Sequence, residues 1–235
     1  MRVILAEKPS VAQSIAAVLG ADQKKNGYLQ GENDLVSWCI GHLIELAPPE
    51  IYDARYAKWR REDLPIVPSA WESVVSDGTK KQFAVLKELL NRTDVDEVVC
   101  ATDAGREGEL IFRMVYEKTG CTKPVKRLWI SSLEESAIRE GFRSLKPGTA
   151  YDALYRAALC RAQADWLVGI NGTRLYSRLY GTKLNVGRVM TPTLAMVAQR
   201  EKEIAALDST MAEKQDELET VQNRIDNFDQ GTQSI

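Results

Sequence analysis

Val95-Asp96-Glu97-Val98-Val99-Cys100-Ala101-Thr102-Asp103-Ala104-Gly105-Arg106-Glu107-Gly108-Glu109-Leu110-Ile111-Phe112-Arg113-Met114-Val115 decides how this 235-residue chain folds. Its first part, to Cys100, reads as a buried strand, and its last part, from Leu110, reads as a helix. The acids Asp103, Glu107 and Glu109 therefore gather at the carboxyl end of a strand, where open α/β sheets place their ligands. Gly105 and Gly108 let backbone and ligand approach closely. Carboxylates this close repel one another unless a cation neutralises them, and hard oxygen donors at a strand edge suit Mg²⁺. The same residues also read as a solvated helix start, because Glu is favourable near a helix N-terminus.

Working outward, Arg2-Val3-Ile4-Leu5-Ala6 is a short apolar run, read as the first strand, with Glu7-Lys8-Pro9-Ser10 at its end. A helix is expected over 10–19, with Val11, Ile15, Val18 and Leu19 at helical spacing. If the two strands are parallel neighbours, Glu7 and Asp103 emerge at one sheet edge. There a Glu can exchange a proton with an attacking or departing hydroxyl, and a Lys can offset charge on phosphate oxygens. The alternative is a plain turn with a helix cap.

Further along, Tyr28-Leu29 and Leu35-Val36-Ser37-Trp38 suggest a hairpin. The stretch 48–78 holds four of the eight prolines and reads as loop-rich. A helix is expected over 79–91, with Phe83, Leu86 and Leu90 on one face. A strand is expected over 125–131, then a helix from Ser132, with Ser132 and Glu135 as a capping box. This alternation predicts an α/β domain with a parallel-centred sheet. One or two helices follow from Tyr151 to Tyr180, and Thr191-Pro192 starts another.

Net charge is −2, so the chain as a whole is no basic nucleic-acid module. Charge is uneven, however: residues 151–206 carry eight Lys and Arg against four Asp and Glu, and residues 207–235 carry two against seven. The basic stretch is where phosphate contacts are expected. Four cysteines without a Cys-x-x-Cys pair, and a single histidine, argue against a structural zinc. His42 reads as a structural hydrogen-bonder. No apolar run reaches membrane-spanning length and no signal-peptide profile opens the chain, so a reduced cytoplasm is expected. In the tail, Leu207, Met211, Leu218, Val221, Ile225 and Phe228 fall on heptad positions, with Lys214 as the one fault. That pattern allows an acidic helix capable of weak self-association through 207–228, with an irregular end over 230–234.

Glu7-Lys8-Pro9-Ser10 together with Thr102-Asp103-x-x-Arg106-Glu107-Gly108-Glu109 resembles the Toprim domain of type IA DNA topoisomerases, the topoisomerase III branch in particular. Further motifs match in order: Trp38-Cys39-Ile40-Gly41-His42-Leu43, Tyr52-Asp53-x-Arg55-Tyr56-x-x-Trp59, Leu64-Pro65-Ile66-Val67-Pro68 and Arg127-Leu128-Trp129-Ile130-Ser131-Ser132-Leu133. Ala164-Asp165-Trp166-Leu167-Val168-Gly169-Ile170-Asn171-x-Thr173-Arg174 and Val186-Gly187-Arg188-Val189-x-Thr191-Pro192-Thr193-Leu194 complete the set, which covers residues 1–206.

The resemblance implies a Rossmann-like Toprim domain over 1–147, the start of a mainly helical DNA-binding gate domain over 148–206, and an unrelated acidic helical tail over 207–235. It implies Mg²⁺-dependent cleavage, passage and resealing of single-stranded or underwound DNA. Glu7 and Lys8 would be catalytic, and Glu7, Asp103 and Glu107 would hold the metal. Trp59, Arg161, Trp166 and Arg174, with Asn185, Val186, Gly187, Arg188, Val189 and Met190, would contact DNA. Two departures stand out. The family pattern Asp-x-Asp-x-Glu has Gly105 as its middle residue here, which implies one well-held Mg²⁺, with Glu109 either assisting or facing solvent. The family's nucleophilic tyrosine lies in a Tyr-Pro-Arg-like setting further downstream, and none of the eight tyrosines here has it, so the chain reads as an amino-terminal fragment. The remaining alternatives are a Toprim-type nuclease and a non-catalytic DNA-binding remnant.

Overall fold

The computed structural model describes residues 1–232, with side chains described as far as Ile225. The chain opens with β1 (Arg2–Ala6) and α1 (Pro9–Leu19), then β2 (Gln23–Lys25), β3 (Tyr28–Gln30), β4 (Asp34–Trp38) and β5 (Ile44–Leu46). The proline-rich stretch that follows holds only the one-turn helix α2 (Pro49–Tyr52), short 3-10 turns and β6 (Ser73–Val75). Regular alternation resumes with α3 (Lys80–Leu90), β7 (Glu97–Ala101), α4 (Arg106–Thr119), β8 (Val125–Arg127), α5 (Glu135–Arg143) and β9 (Lys146–Pro147). Two long helices finish the described chain, α6 (Asp152–Tyr180) and α7 (Met190–Thr232).

Seven strands form one sheet in the order β2-β3-β4-β1-β7-β8-β9. The central four, β4-β1-β7-β8, are parallel. Antiparallel partners close both edges, with β3 and β2 beyond β4 and β9 beyond β8. This is the expected parallel-centred α/β sheet. Strands buried on both faces are apolar throughout, and β1 divides its side chains accordingly. Val3 and Leu5 pack with α3 and α4, through Leu86, Leu90 and Phe112. Ile4 and Ala6 pack on the other face with Ala12, Ile15 and Ile138 of α1 and α5.

Register sets the site. Ala6 of β1 pairs with Ala101 of β7, so both strands end level and the residues after them leave at one edge.

Several local expectations shift. Helix α1 begins at Pro9 rather than Ser10, with Lys8 in the extended cap position and Pro fitting the first turn. The strand expected over 125–131 stops at Arg127, and the helix expected from Ser132 begins at Glu135. Ser132 Oγ accepts the N–H of Glu134 at 3.2 Å in a local turn, and Glu134 is still extended, so no capping box forms. Of the one or two helices expected over 151–180 the structure makes one, Asp152–Tyr180, despite Gly169 and Gly172 in its middle. Gly172 is where Val186 packs: a Cβ there would lie 2.8 Å from a Val186 methyl. Helix α7 runs from the basic region into the acidic tail without a break, and it continues to Thr232, so residues 230–232 of the expected irregular end are helical. Gln233, Ser234 and the Phe228 side chain lie outside the described residues. Among the described residues, no helix is long and apolar enough to cross a membrane.

Candidate active site at the carboxyl end of the parallel strands

Glu7 and Asp103 meet where β1 and β7 end. The Asp103 N–H donates to Glu7 Oε2 at 3.2 Å, and Lys8 Nζ lies 3.7 Å from Asp103 Oδ2. Glu107 stands on the first turn of α4, where its negative charge complements the helix N-terminus. Its Oε1 is 3.3 Å from His42 Nε2. His42 follows Gly41, whose φ of 66° turns the loop after β4. The ring, 40% exposed, thus stands at the acid edge with Glu107 as its partner rather than in an apolar setting. Spacing along the chain could not place it there, since 65 residues separate it from Glu107.

The carboxylates of Asp103 and Glu107 are exposed, while Glu7 is half-buried. A cavity of about 330 Å³ opens beside Asp103, lined by Val11, Thr102, Ala104, Ile130 and Ser132 among others. Among the described residues, no group of three His, Cys, Asp or Glu side chains is close enough to cage a metal. The donor set is therefore an open edge of hard oxygens. That chemistry fits Mg²⁺, which takes one or two carboxylates and completes its octahedron with water and substrate phosphate. Glu7, Asp103 and Glu107 are the residues that could hold it.

Glu109 neither assists at that edge nor faces solvent. Its side chain is 1% exposed and pairs with two arginines, Arg127 Nε at 3.0 Å and Arg113 Nε at 3.0 Å. Leu110, Ile111 and Phe112 pull this side of α4 into the core, and Glu109 is carried in with them. Arg127 is also buried. Its Nη1 donates to the carbonyls of Thr102 (2.7 Å), Leu128 (2.8 Å) and Cys100 (3.2 Å), and its Nη2 donates to the Asp103 carbonyl at 2.7 Å. Between them, burial pushes the Cys100 thiol up to about 11, although the Arg127 charge draws it down.

The residues expected to meet DNA fall into four groups. Arg174 and Trp59 come together, with the guanidinium 5.4 Å from the indole centre and Nη1 donating to the Tyr56 carbonyl at 2.7 Å. Arg174 is nearly buried, and burial lowers its pKa against the opposing pull of Glu50 and Asp63. Arg161 and Arg188 converge on Asp165, Arg161 at 3.7 Å and Arg188 in a very short charged contact.

Trp166 stands apart. Its indole N–H donates to the Ala47 carbonyl at 3.0 Å, and its ring meets Tyr52 and Trp71 edge-on, docking α6 against the β5–β6 region.

Of 185–190, Val186 is half-buried with its N–H on Thr173 Oγ1 (2.9 Å), and the Gly187 N–H goes to Thr191 Oγ1 (3.0 Å). Asn185, Arg188, Val189 and Met190 are exposed. Asn171, given no role from sequence, clamps the loop carrying Ile66 with two hydrogen bonds, Oδ1 accepting at 2.6 Å and Nδ2 donating at 2.9 Å.

Comparison with known proteins bears on the family and the fold. The Toprim domain family matches residues 2–133, and a DNA topoisomerase domain family matches 149–211. The chain is 53% identical over 202 residues to DNA topoisomerase 3 of Bacillus thuringiensis (strain Al Hakam), covering 86% of this chain and 28% of that protein. It is 54% identical over 203 residues to DNA topoisomerase 3 of Shouchella clausii, with the same coverage. The full-length topoisomerase I of Thermotoga maritima superposes with a TM-score of 0.60 at 25% identity, over 86% of this chain and 30% of that one. The chain thus spans under a third of the length of these relatives. With more than half of its residues inside the Toprim match, and with Glu7, Lys8, Asp103 and Glu107 assembled at one sheet edge, this chain belongs to the Toprim family.

Proposed function

We propose that this chain supplies the phosphoryl-transfer half of a type IA DNA topoisomerase, with residues 1–147 as the Toprim domain and 148–206 as the start of the DNA-gripping domain. The observation that carries the reading is the Asp103 N–H on the Glu7 carboxylate, with Lys8 beside them at the ends of two adjacent parallel strands.

Glu7 gives its proton to the departing 3′ oxygen when a strand is cut and takes it back on resealing. Lys8 offsets charge on the non-bridging phosphate oxygens. Asp103 and Glu107, with Glu7, would hold Mg²⁺, which would supply further charge stabilisation on the phosphate. His42 orients Glu107. Trp59 and Arg174 offer a stacking face and a cation to single-stranded DNA, and Arg161 and Arg188 offer charge to its phosphates. The attacking tyrosine is not in this stretch, since no Tyr-Pro-Arg occurs in it.

The test is Mg²⁺ titration followed on the backbone amide signals of 101–109, together with anisotropy of a labelled oligothymidylate. Saturable Mg²⁺ binding is expected, weakened at least about tenfold by Asp103→Asn. Gly105→Asp should tighten it, because a side chain at Gly105 meets nothing within 4 Å. Oligothymidylate affinity should fall as salt rises. Absence of both bindings would overturn the reading.

The exposed series Leu207, Met211, Leu218, Val221 and Ile225 on α7 supports self-association of this helix as a weak coiled coil. Sedimentation equilibrium should show concentration-dependent dimers that Leu218→Asp abolishes. A monomer at every concentration would dismiss this.

A further inference from the structure

We propose that Arg127, one strand away from the acids and touching neither substrate nor metal, is a positioning residue that sets the geometry of the Glu7–Asp103 edge. The inference rests on the proposed Mg²⁺ role of that edge. The sequence places Arg127 at the end of β8, where an arginine side chain would ordinarily reach solvent. Instead it is 1% exposed and turned along the sheet edge beneath the turn that carries the acids. Its two terminal nitrogens bond four carbonyls: that of Cys100 within β7, those of Thr102 and Asp103 in the turn leaving β7, and that of Leu128. That turn has no ladder partner of its own at this point, because β7 ends at Ala101.

The guanidinium thereby stands in for a strand neighbour at Thr102 and Asp103, and by holding the Thr102 carbonyl it aligns the Thr102–Asp103 peptide so that its N–H faces Glu7. Glu109 keeps the guanidinium in place. Arg127 Nε sits 3.0 Å from Glu109 Oε2 but off the N–H axis, so the contact is one of charge. Trp129 and Tyr151 stack on each other and cover the guanidinium from outside, with ring centres at 5.0 and 6.0 Å. Beyond Glu109, Arg113 bonds Asp152 Oδ1 at 2.8 Å and the Gly148 carbonyl at 2.7 Å, which ties the same network to the first turn of α6.

A lysine retains the charge but has three donors on a single nitrogen, and it cannot span four carbonyls and a carboxylate. The test is therefore Arg127→Lys, with Glu109→Gln, which keeps the side chain's shape and removes only its charge, as a second variant. Two quantities are read: Mg²⁺ affinity from the amide titration, and hydrogen exchange of the Asp103 amide in metal-free protein. Leu89→Ala, in the core on α3, is the control for plain loss of stability.

Mg²⁺ affinity should fall about tenfold to a hundredfold in Arg127→Lys, the range found for residues that orient ligands from behind. Asp103 exchange should speed up at the same time, and Leu89→Ala should change neither. Affinity within twofold of the parent and unchanged Asp103 exchange, in either folded variant, would overturn the proposal. If the parent chain itself binds no Mg²⁺, the metal reading fails, and the exchange measurement still decides whether Arg127 holds Asp103.

Discussion

Glu109→Ala should lower unfolding free energy by about 3–5 kcal/mol, the usual cost of stripping one partner from a buried ion pair. For a chain of this size that corresponds to a fall in Tm of roughly 6–20 °C. The effect is large because two guanidiniums depend on this one carboxylate, Arg127 at Oε2 and Arg113 at Oε1, and Arg127 has no route to water. The informative companion is Glu107→Ala, two residues earlier on the same helix. Glu107 is 64% exposed and, among the described residues, pairs with His42, so its loss should change stability by less than about 0.5 kcal/mol. Urea unfolding of both variants checks the contrast. Equal midpoints would show that the two acids do not divide the work between core and edge as their surroundings require.

Gly108→Ala should be the second severe change, and here the sign itself is diagnostic. Inside a helix, Gly to Ala ordinarily stabilises by about 1 kcal/mol. At Gly108 the added Cβ would lie 2.2 Å from the Asp103 carbonyl oxygen and 3.0 Å from its carbon and nitrogen, so helix or turn must move. A loss of about 1–3 kcal/mol is expected, as for overpacking of a filled core. Mg²⁺ binding should weaken with it, because the carbonyl that is pushed aside is the one Arg127 holds. Gly105→Ala is the control. Its φ of 179° is extended backbone, and its Cβ would meet nothing within 4 Å, so it should be close to neutral. A stabilised Gly108→Ala protein would mean that α4 does not press against the Asp103 turn.

The two glycines illustrate where sequence reading reaches and where it stops. Both occur in one acidic turn, and both invite the same explanation, close approach of backbone and ligand. Only the packing separates them, because Gly108 faces the Asp103 peptide and Gly105 faces open space. The tryptophans behave alike in this respect. Trp59 and Trp166 share one expected role, yet Trp59 stacks with Arg174 at 37% exposure while the Trp166 N–H is spent on Ala47. Ala47 is 119 residues away from Trp166, and no local pattern contains that distance.

Apolar periodicity alone was enough to place β1, β7, α1 and α4, because burial of both faces of a central strand is written directly into runs such as Val3-Ile4-Leu5 and Val98-Val99-Cys100, whereas the parallel pairing of β1 with β7 that brings Glu7 to Asp103 came from the assembled sheet. The ordered motifs were enough to assign the family. The three-dimensional arrangement was needed to decide the fate of individual charges: Glu109 turned inward to Arg127, His42 drawn outward to Glu107, and Arg127 folded under the acid turn. The reason is physical. Whether a charge is solvated or buried depends on counter-charges and carbonyls brought from distant strands, and the cost of burying it is met only when the whole sheet edge is assembled.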